Sequence, residues 1–157
     1  ANKSGSLACM TGKLGALLGG GTEQQIEALG RFGEAAGVVF QIRDDILNIS
    51  ENERLGKEFG DDINEGKRTL LVIHALNVAN KNEKERLVEI LNMHTKDEAL
   101  LAEAISILNK YSATTYAENV AREITEKAWQ EVDSVLPESP AKKQLRELAE
   151  LMLSRKV

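Results

Sequence analysis

The stretch "FQIRDDILNI", residues 40–49, sets two adjacent aspartates into an otherwise apolar helical pattern. With about 3.6 residues per turn, Gln41, Asp44, Asp45 and Asn48 fall on one side of a helix end, so a polar face emerges from an apolar segment. Two neighbouring carboxylates repel each other unless a cation neutralises them. Hard oxygen ligands with no histidine nearby suit magnesium better than zinc. Magnesium held through one or two carboxylates completes its octahedron with water and phosphate oxygens. Against this stands the commoner fate of aspartates at a helix end, which is solvated surface charge. The flanking sequence has to separate the two readings.

Downstream, residues 50–67, "SENERLGKEFGDDINEGK", carry only Leu55, Phe59 and Ile63 as large apolar residues and read as a loop. Arg54, Lys57, Lys67 and Arg68 alternate there with Glu58, Asp61, Asp62 and Glu65, and glycines at 56, 60 and 66 let the backbone approach an anion. Acids for a metal and lysines for phosphate oxygens, all between residues 44 and 68, suit a metal-complexed diphosphate. Asp61 and Asp62 can support Lys57 or Lys67 by charge pairing. A charged surface loop with solvated ion pairs is the competing reading.

Upstream, residues 7–18 and 23–49 predict two helices separated by "GGGT", where glycines stop the first and Thr22 caps the second. Both helices are rich in small residues: Gly12, Gly15, Ala16, Gly30, Gly33, Ala35, Ala36 and Gly37. A mid-helix glycine costs ~1 kcal/mol against alanine, so this many imply a close approach to the backbone. Tight helix packing explains it, and so does an elongated apolar ligand or a partner helix. Helical spacing resumes in "TLLVIHALNVA" and in "EKERLVEILNMH", where Leu87, Ile90, Leu91 and His94 share a stripe. It runs on from 97 to 135 with a break near "SATT", and a last helix after "PESP" presents Leu145, Leu148, Ala149 and Met152, closing on Arg155 and Lys156. His74, in an apolar run, reads as packed rather than catalytic. β-branched alternation is absent, so the chain is predicted to be all-α, one helical domain over residues 1–157.

Composition excludes other classes. At 157 residues the chain can bury a real core, and its formal net charge of −5 lacks the basic surplus of a general nucleic-acid or membrane-surface binder. The lone Cys9 forms no internal disulfide and is expected as a small buried residue. No stretch approaches the ~20 consecutive apolar residues of a bilayer span, and "ANKSGSLACM" lacks the build of a signal peptide, so a cytoplasmic location is expected.

"KSGSL" at 3–7, "FQIRDDILN" at 40–48 and "LGKEFGDDINEGKRTL" at 55–70 resemble, in order and spacing, three motifs of the trans-isoprenyl diphosphate synthases: the lysine-threonine motif, the second aspartate-rich motif and the lysine-bearing loop after it. "TGKLGALLGG" and "LGRFGEAAGVVFQ" between them are similar as well. The resemblance implies an antiparallel helical bundle and condensation of isopentenyl diphosphate with an allylic diphosphate, through magnesium-assisted loss of the allylic diphosphate. It also implies roles. Lys3 and Lys57 would hold the allylic diphosphate with Lys67 nearby and Ser4 in place of the usual threonine. Asp44 and Asp45 would hold Mg2+, and Gln41 would orient the group. Asn48 stands where the family commonly has a third aspartate, as in some geranylgeranyl diphosphate synthases, and would be an uncharged ligand.

The family's first aspartate-rich motif and its isopentenyl diphosphate site lie upstream of the lysine-threonine motif. The chain therefore resembles the C-terminal half of a synthase, expected to pair with an N-terminal half or to form a homo-oligomer, and to be inactive alone. A non-catalytic helical subunit that keeps the motifs is the alternative. A class I terpene cyclase would share magnesium and diphosphate but not the "KSG" start and the lysine-bearing loop.

Overall fold

The structure, a computed structural model, describes residues 2–50 and 60–154. Among the described residues it is helical without a strand: α1 (Asn2–Leu18), α2 (Glu23–Asn48), α3 (Asp61–Asn64), α4 (Leu70–Val78), α5 (Lys81–Met93), α6 (Glu98–Lys110), α7 (Ala113–Val135) and α8 (Pro140–Ser154). The all-α expectation holds. The chain forms two compact units, Ala1–Gln41 with Val120–Val157, and Ile42–Asn119.

In the first unit the "GGGT" turn works as its residues predict. Gly20 takes a φ of 73°. Thr22 and Gln25 then form a reciprocal cap: the Thr22 N–H donates to Gln25 Oε1 at 2.9 Å, and the Gln25 N–H to Thr22 Oγ1 at 3.4 Å. Gly12, Gly33 and Gly37 resolve as tight helix packing, whereas Gly15 faces open space. α1 lies antiparallel on α2, with Gly12 against Leu29, Ala8 against Gly33, and Ser4 and Gly5 against Gly37. A Cβ at Gly37 would sit 2.7 Å from the Gly5 Cα, and one at Gly33 would fall on the Ala8 carbonyl oxygen. The Lys13–Glu27 ion pair, 2.6 Å, flanks the contact.

Behind α2, Ala28 and Phe32 pack with Ala128 and Val132 of α7 and Ala149 of α8. Phe32 meets Trp129 edge-on, 6.2 Å between centroids at 70°, and the Arg146 guanidinium lies 5.3 Å over the same indole. Lys142, only 6% exposed, donates to the Asp133 and Leu136 carbonyls and to Glu138 Oε1, and pairs with Asp133 Oδ1 at 3.0 Å. The hydrogen bonds it donates to the Glu138 and Asp133 carboxylates raise its pKa and keep it charged where it caps the end of α7.

Two sequence expectations shift here. Leu148, on the predicted buried face of α8, is 47% exposed, and Cys9 is half-buried rather than buried. Arg155 and Lys156 lie outside the described residues. α1 leaves Leu7, Met10, Leu14, Leu17 and Leu18 exposed along one side.

In the second unit Leu71, Leu87, Ile90, Leu91 and Leu108 are at most 1% exposed and form the core of α4, α5 and α6, with α3 packed on α5 and α6. Thr69, Asn80 and Asp97 cap α4, α5 and α6 through side-chain oxygens. The break near "SATT" falls at Ser112, φ 53°. His74 is packed, its Nε2 donating to the Tyr111 carbonyl at 3.1 Å and its ring stacked 4.0 Å from Tyr116. His94 departs from the predicted stripe. α5 ends one residue earlier, and His94 takes the left-handed conformation at φ 49°.

The helix contact can be tested by two substitutions of opposite sign. Gly33→Ala gains up to ~1 kcal/mol of helix propensity but forces a Cβ into a main-chain oxygen that cannot rotate away, an overpacking cost of about 1–3 kcal/mol. It should lower stability, whereas Gly15→Ala, with nothing within 4 Å of the new methyl, should raise it by about 0.5–1 kcal/mol. Urea unfolding midpoints measure both, and an unchanged or raised midpoint for Gly33→Ala would contradict the contact.

Candidate functional site

α2 delivers its polar residues in the last two turns. Gln41 is exposed, Asp44 and Asp45 are half-buried, and Asn48, the final residue, is buried at 6% exposure. Two N–H groups of the next described segment come back to Asn48. The Gly60 N–H donates to the Asn48 carbonyl at 3.1 Å, and the Asp62 N–H donates to Asn48 Oδ1 at 3.0 Å. The sequence reads 50–67 as a loop, but Asp61–Asn64 closes into the single turn of α3.

Asp62 is the node of this turn. Its carbonyl accepts the Lys67 N–H at 2.9 Å, and its Oδ1 accepts from Lys67 Nζ at 2.6 Å. Glu65 Oε2 lies 2.7 Å from the same ammonium. The hydrogen bonds it donates to Asp62 first and Glu65 second hold the Lys67 pKa above the ordinary lysine range. Lys67 is thus a fixed cation whose three N–H donors include two already committed.

The turn is fastened from below as well. Gly66 has a φ of 66°, and a Cβ there would meet His94 Cε1 at 2.6 Å and the Leu91 carbonyl oxygen at 2.8 Å. His94 Nδ1 donates to the Asn64 carbonyl at 3.0 Å, and Arg68 bridges the Gly66 carbonyl and Asn92 Oδ1 at 3.2 and 3.0 Å. The glycine before Lys67 therefore serves backbone conformation and packing.

The structure brings Asn48 and Lys67 together through Asp62, with Asp44 and Asp45 one helical turn before Asn48. Ser4 is exposed on α1. Lys3 belongs to α1, but its side chain lies outside the described residues, as does Lys57. Among the described residues no group of three or more His, Cys, Asp or Glu side chains is placed to hold a metal. The donor set does not suit a closed protein cage. A carboxylate pair suits a magnesium ion that takes its remaining ligands from water and a phosphate group. The anchoring by His94 and Asn92 was not foreseen from sequence; the one available signal is that histidine is enriched among non-glycine residues with positive φ.

Residues 1–108 match the polyprenyl synthetase family. A short chain isoprenyl diphosphate synthase of Methanothermobacter thermautotrophicus is 44% identical over 154 residues, covering 98% of this chain and 46% of that protein. The crystal structure of a geranylgeranyl pyrophosphate synthetase from Pyrococcus horikoshii superposes with a TM-score of 0.87 at 35% identity, over 98% of this chain and 46% of its own. A geranylgeranyl pyrophosphate synthase from Corynebacterium glutamicum, solved with calcium and isoprenyl diphosphate, gives 0.83 at 32% identity, over 96% and 46%. The chain spans about half the length of the curated relatives it matches.

The Lys67 geometry has a titration signature. A lysine whose pKa is raised by folding contributes stability that is fully present below its unfolded value, 10.5, and is lost only as pH rises through the higher folded value. Replacing Asp62 by Asn removes the first cause, so the Lys67 titration, followed by the NMR shift of its Cε, should move to lower pH in Asp62→Asn. An identical midpoint in both proteins would mean that Asp62 does not hold the ammonium in solution.

Proposed function

Because the chain belongs to the polyprenyl synthetase family, we propose that it supplies the allylic diphosphate and magnesium half-site of a prenyltransferase. That enzyme joins isopentenyl diphosphate to an allylic diphosphate and releases a longer linear prenyl diphosphate and inorganic diphosphate. The observation that carries the reading is the Lys67 ammonium fixed by Asp62 and Glu65 at a turn hydrogen-bonded to the end of α2, the helix of the carboxylate pair.

In this reading Asp44 and Asp45 hold magnesium. When bound, the ion neutralises charge that develops on the departing diphosphate. Lys67 offers its third N–H to a phosphate oxygen, and Lys3 and Lys57 add cations on the strength of the family motifs. Ser4 contributes a hydroxyl, and Gln41 orients the group. The allylic C–O bond breaks with its electrons going to the diphosphate, and the isopentenyl double bond attacks the allylic cation before a proton is lost. No protein nucleophile is required. Lys67 with its two carboxylates carries a net charge of −1, so a bare diphosphate is repelled and its magnesium complex is favoured.

The other substrate site belongs to the rest of the enzyme. We assign it to a part of the enzyme outside these residues, an N-terminal half or a second copy, that also covers the apolar side of α1. A cytoplasmic setting fits this chemistry, and among the described residues no helix is long and apolar enough to cross a membrane.

Calorimetry tests the half-site. Magnesium alone should bind weakly, and much more tightly with pyrophosphate present, since the two share ligands. Equal magnesium affinity with and without pyrophosphate would reject the site and favour a non-catalytic subunit. In the complete enzyme Asp44→Ala should slow condensation by at least ~100-fold; near-normal turnover would reject its metal role.

The isolated 157-residue chain should not condense labelled isopentenyl diphosphate with an allylic primer in the presence of magnesium. One carboxylate motif compensates one diphosphate, and the reaction has two. Labelled longer product without a second polypeptide would overturn this and point to the acids of residues 58–65 as a second metal site.

A further inference from the structure

A helix begins with N–H groups that have no partner inside it, and the residue at its N-cap normally satisfies one of them with a side-chain oxygen. The N-cap of α3 is Gly60, which makes no side-chain cap. The service comes instead from Asn48, whose carbonyl takes the Gly60 N–H and whose Oδ1 takes the Asp62 N–H. Both Asn48 and Asp62 are more than nine-tenths buried. Asp62 passes the restraint on, since its carbonyl and carboxylate hold the backbone and the ammonium of Lys67.

We propose that Asn48 is a positioning residue: it caps α3 from the end of α2 and acts on the diphosphate through Asp62 and Lys67, not as a ligand of the metal. The inference rests on the half-site reading for its ligand and on hydrogen-bond geometry for its mechanism. An amide is compatible with the same geometry. The position needs an oxygen that accepts, and Asn48 lies one turn after Asp44 and Asp45, where a third carboxylate would add like charge at i+3 and i+4. An amide supplies the acceptor without the charge.

A double-mutant cycle in the 157-residue chain decides between positioning and direct ligation. Pyrophosphate with magnesium is titrated into wild type, Asn48→Leu, Lys67→Ala and the double variant, and amide exchange is followed at Asp62. Asn48→Leu should speed exchange at Asp62 and weaken pyrophosphate by about tenfold, the scale of one lost hydrogen bond to a buried group. The double variant should be no weaker than Lys67→Ala. Asn48→Asp keeps an acceptor and should retain slow exchange at Asp62, which also decides the matter if Asn48→Leu does not fold.

Losses in Asn48→Leu and Lys67→Ala that multiply in the double variant would overturn the proposal in favour of direct ligation. So would unchanged exchange at Asp62 in Asn48→Leu, or fast exchange in Asn48→Asp. If wild type binds no pyrophosphate, the half-site reading fails, and the exchange measurements still decide whether Asn48 caps the turn.

Discussion

The register of α2 is the constraint from which the other features take their place. One unbroken helix of 26 residues carries the glycines that admit α1, the aromatic ring of Phe32 in the first core, the carboxylate pair and the asparagine that ends it. Each residue turns the following side chains by ~100°, so inserting or deleting one within a face would misdirect the part of that face that follows it. Tertiary contacts, not helix propensity, hold that register.

What the sequence made legible follows this periodicity. α1, α2 and α4 through α8 repeat their apolar residues often enough to be placed, and Thr22 after the glycines reads as a cap. The small residues of α1 and α2 left packing and ligand binding both open, and the contacts of Gly12, Gly33 and Gly37 with the facing main chain favour packing. α3 was illegible because four residues cannot show a period; its turn exists through bonds to Asn48 and packing on α5 and α6. His94 reads as part of a stripe until its backbone turns left-handed.

The candidate site was legible as residue types and opaque as connections. Asp44, Asp45, Asp62 and Lys67 are recognisable as acids and a cation near one another in the chain, but which acid holds which cation depends on a turn that the sequence does not display. Lys142 makes the same point elsewhere. It stands in the polar-looking run "PAKKQ" beside an exposed Lys143, yet it is buried among carbonyls and carboxylates. Charge patterning says that a lysine is there; only the end of α7 explains why it is inside.

The approach of Gly33 to Ala8 carries a consequence for how this protein can change over generations. The atom that any side chain at residue 33 would strike is a main-chain oxygen, and every amino acid at residue 8 presents the same one. No second substitution on α1 can make room. Most core contacts permit exchange in pairs, a larger residue on one side answered by a smaller one on the other, and so leave correlated substitutions among descendants. This contact permits none, so it should be silent in any search for co-varying positions.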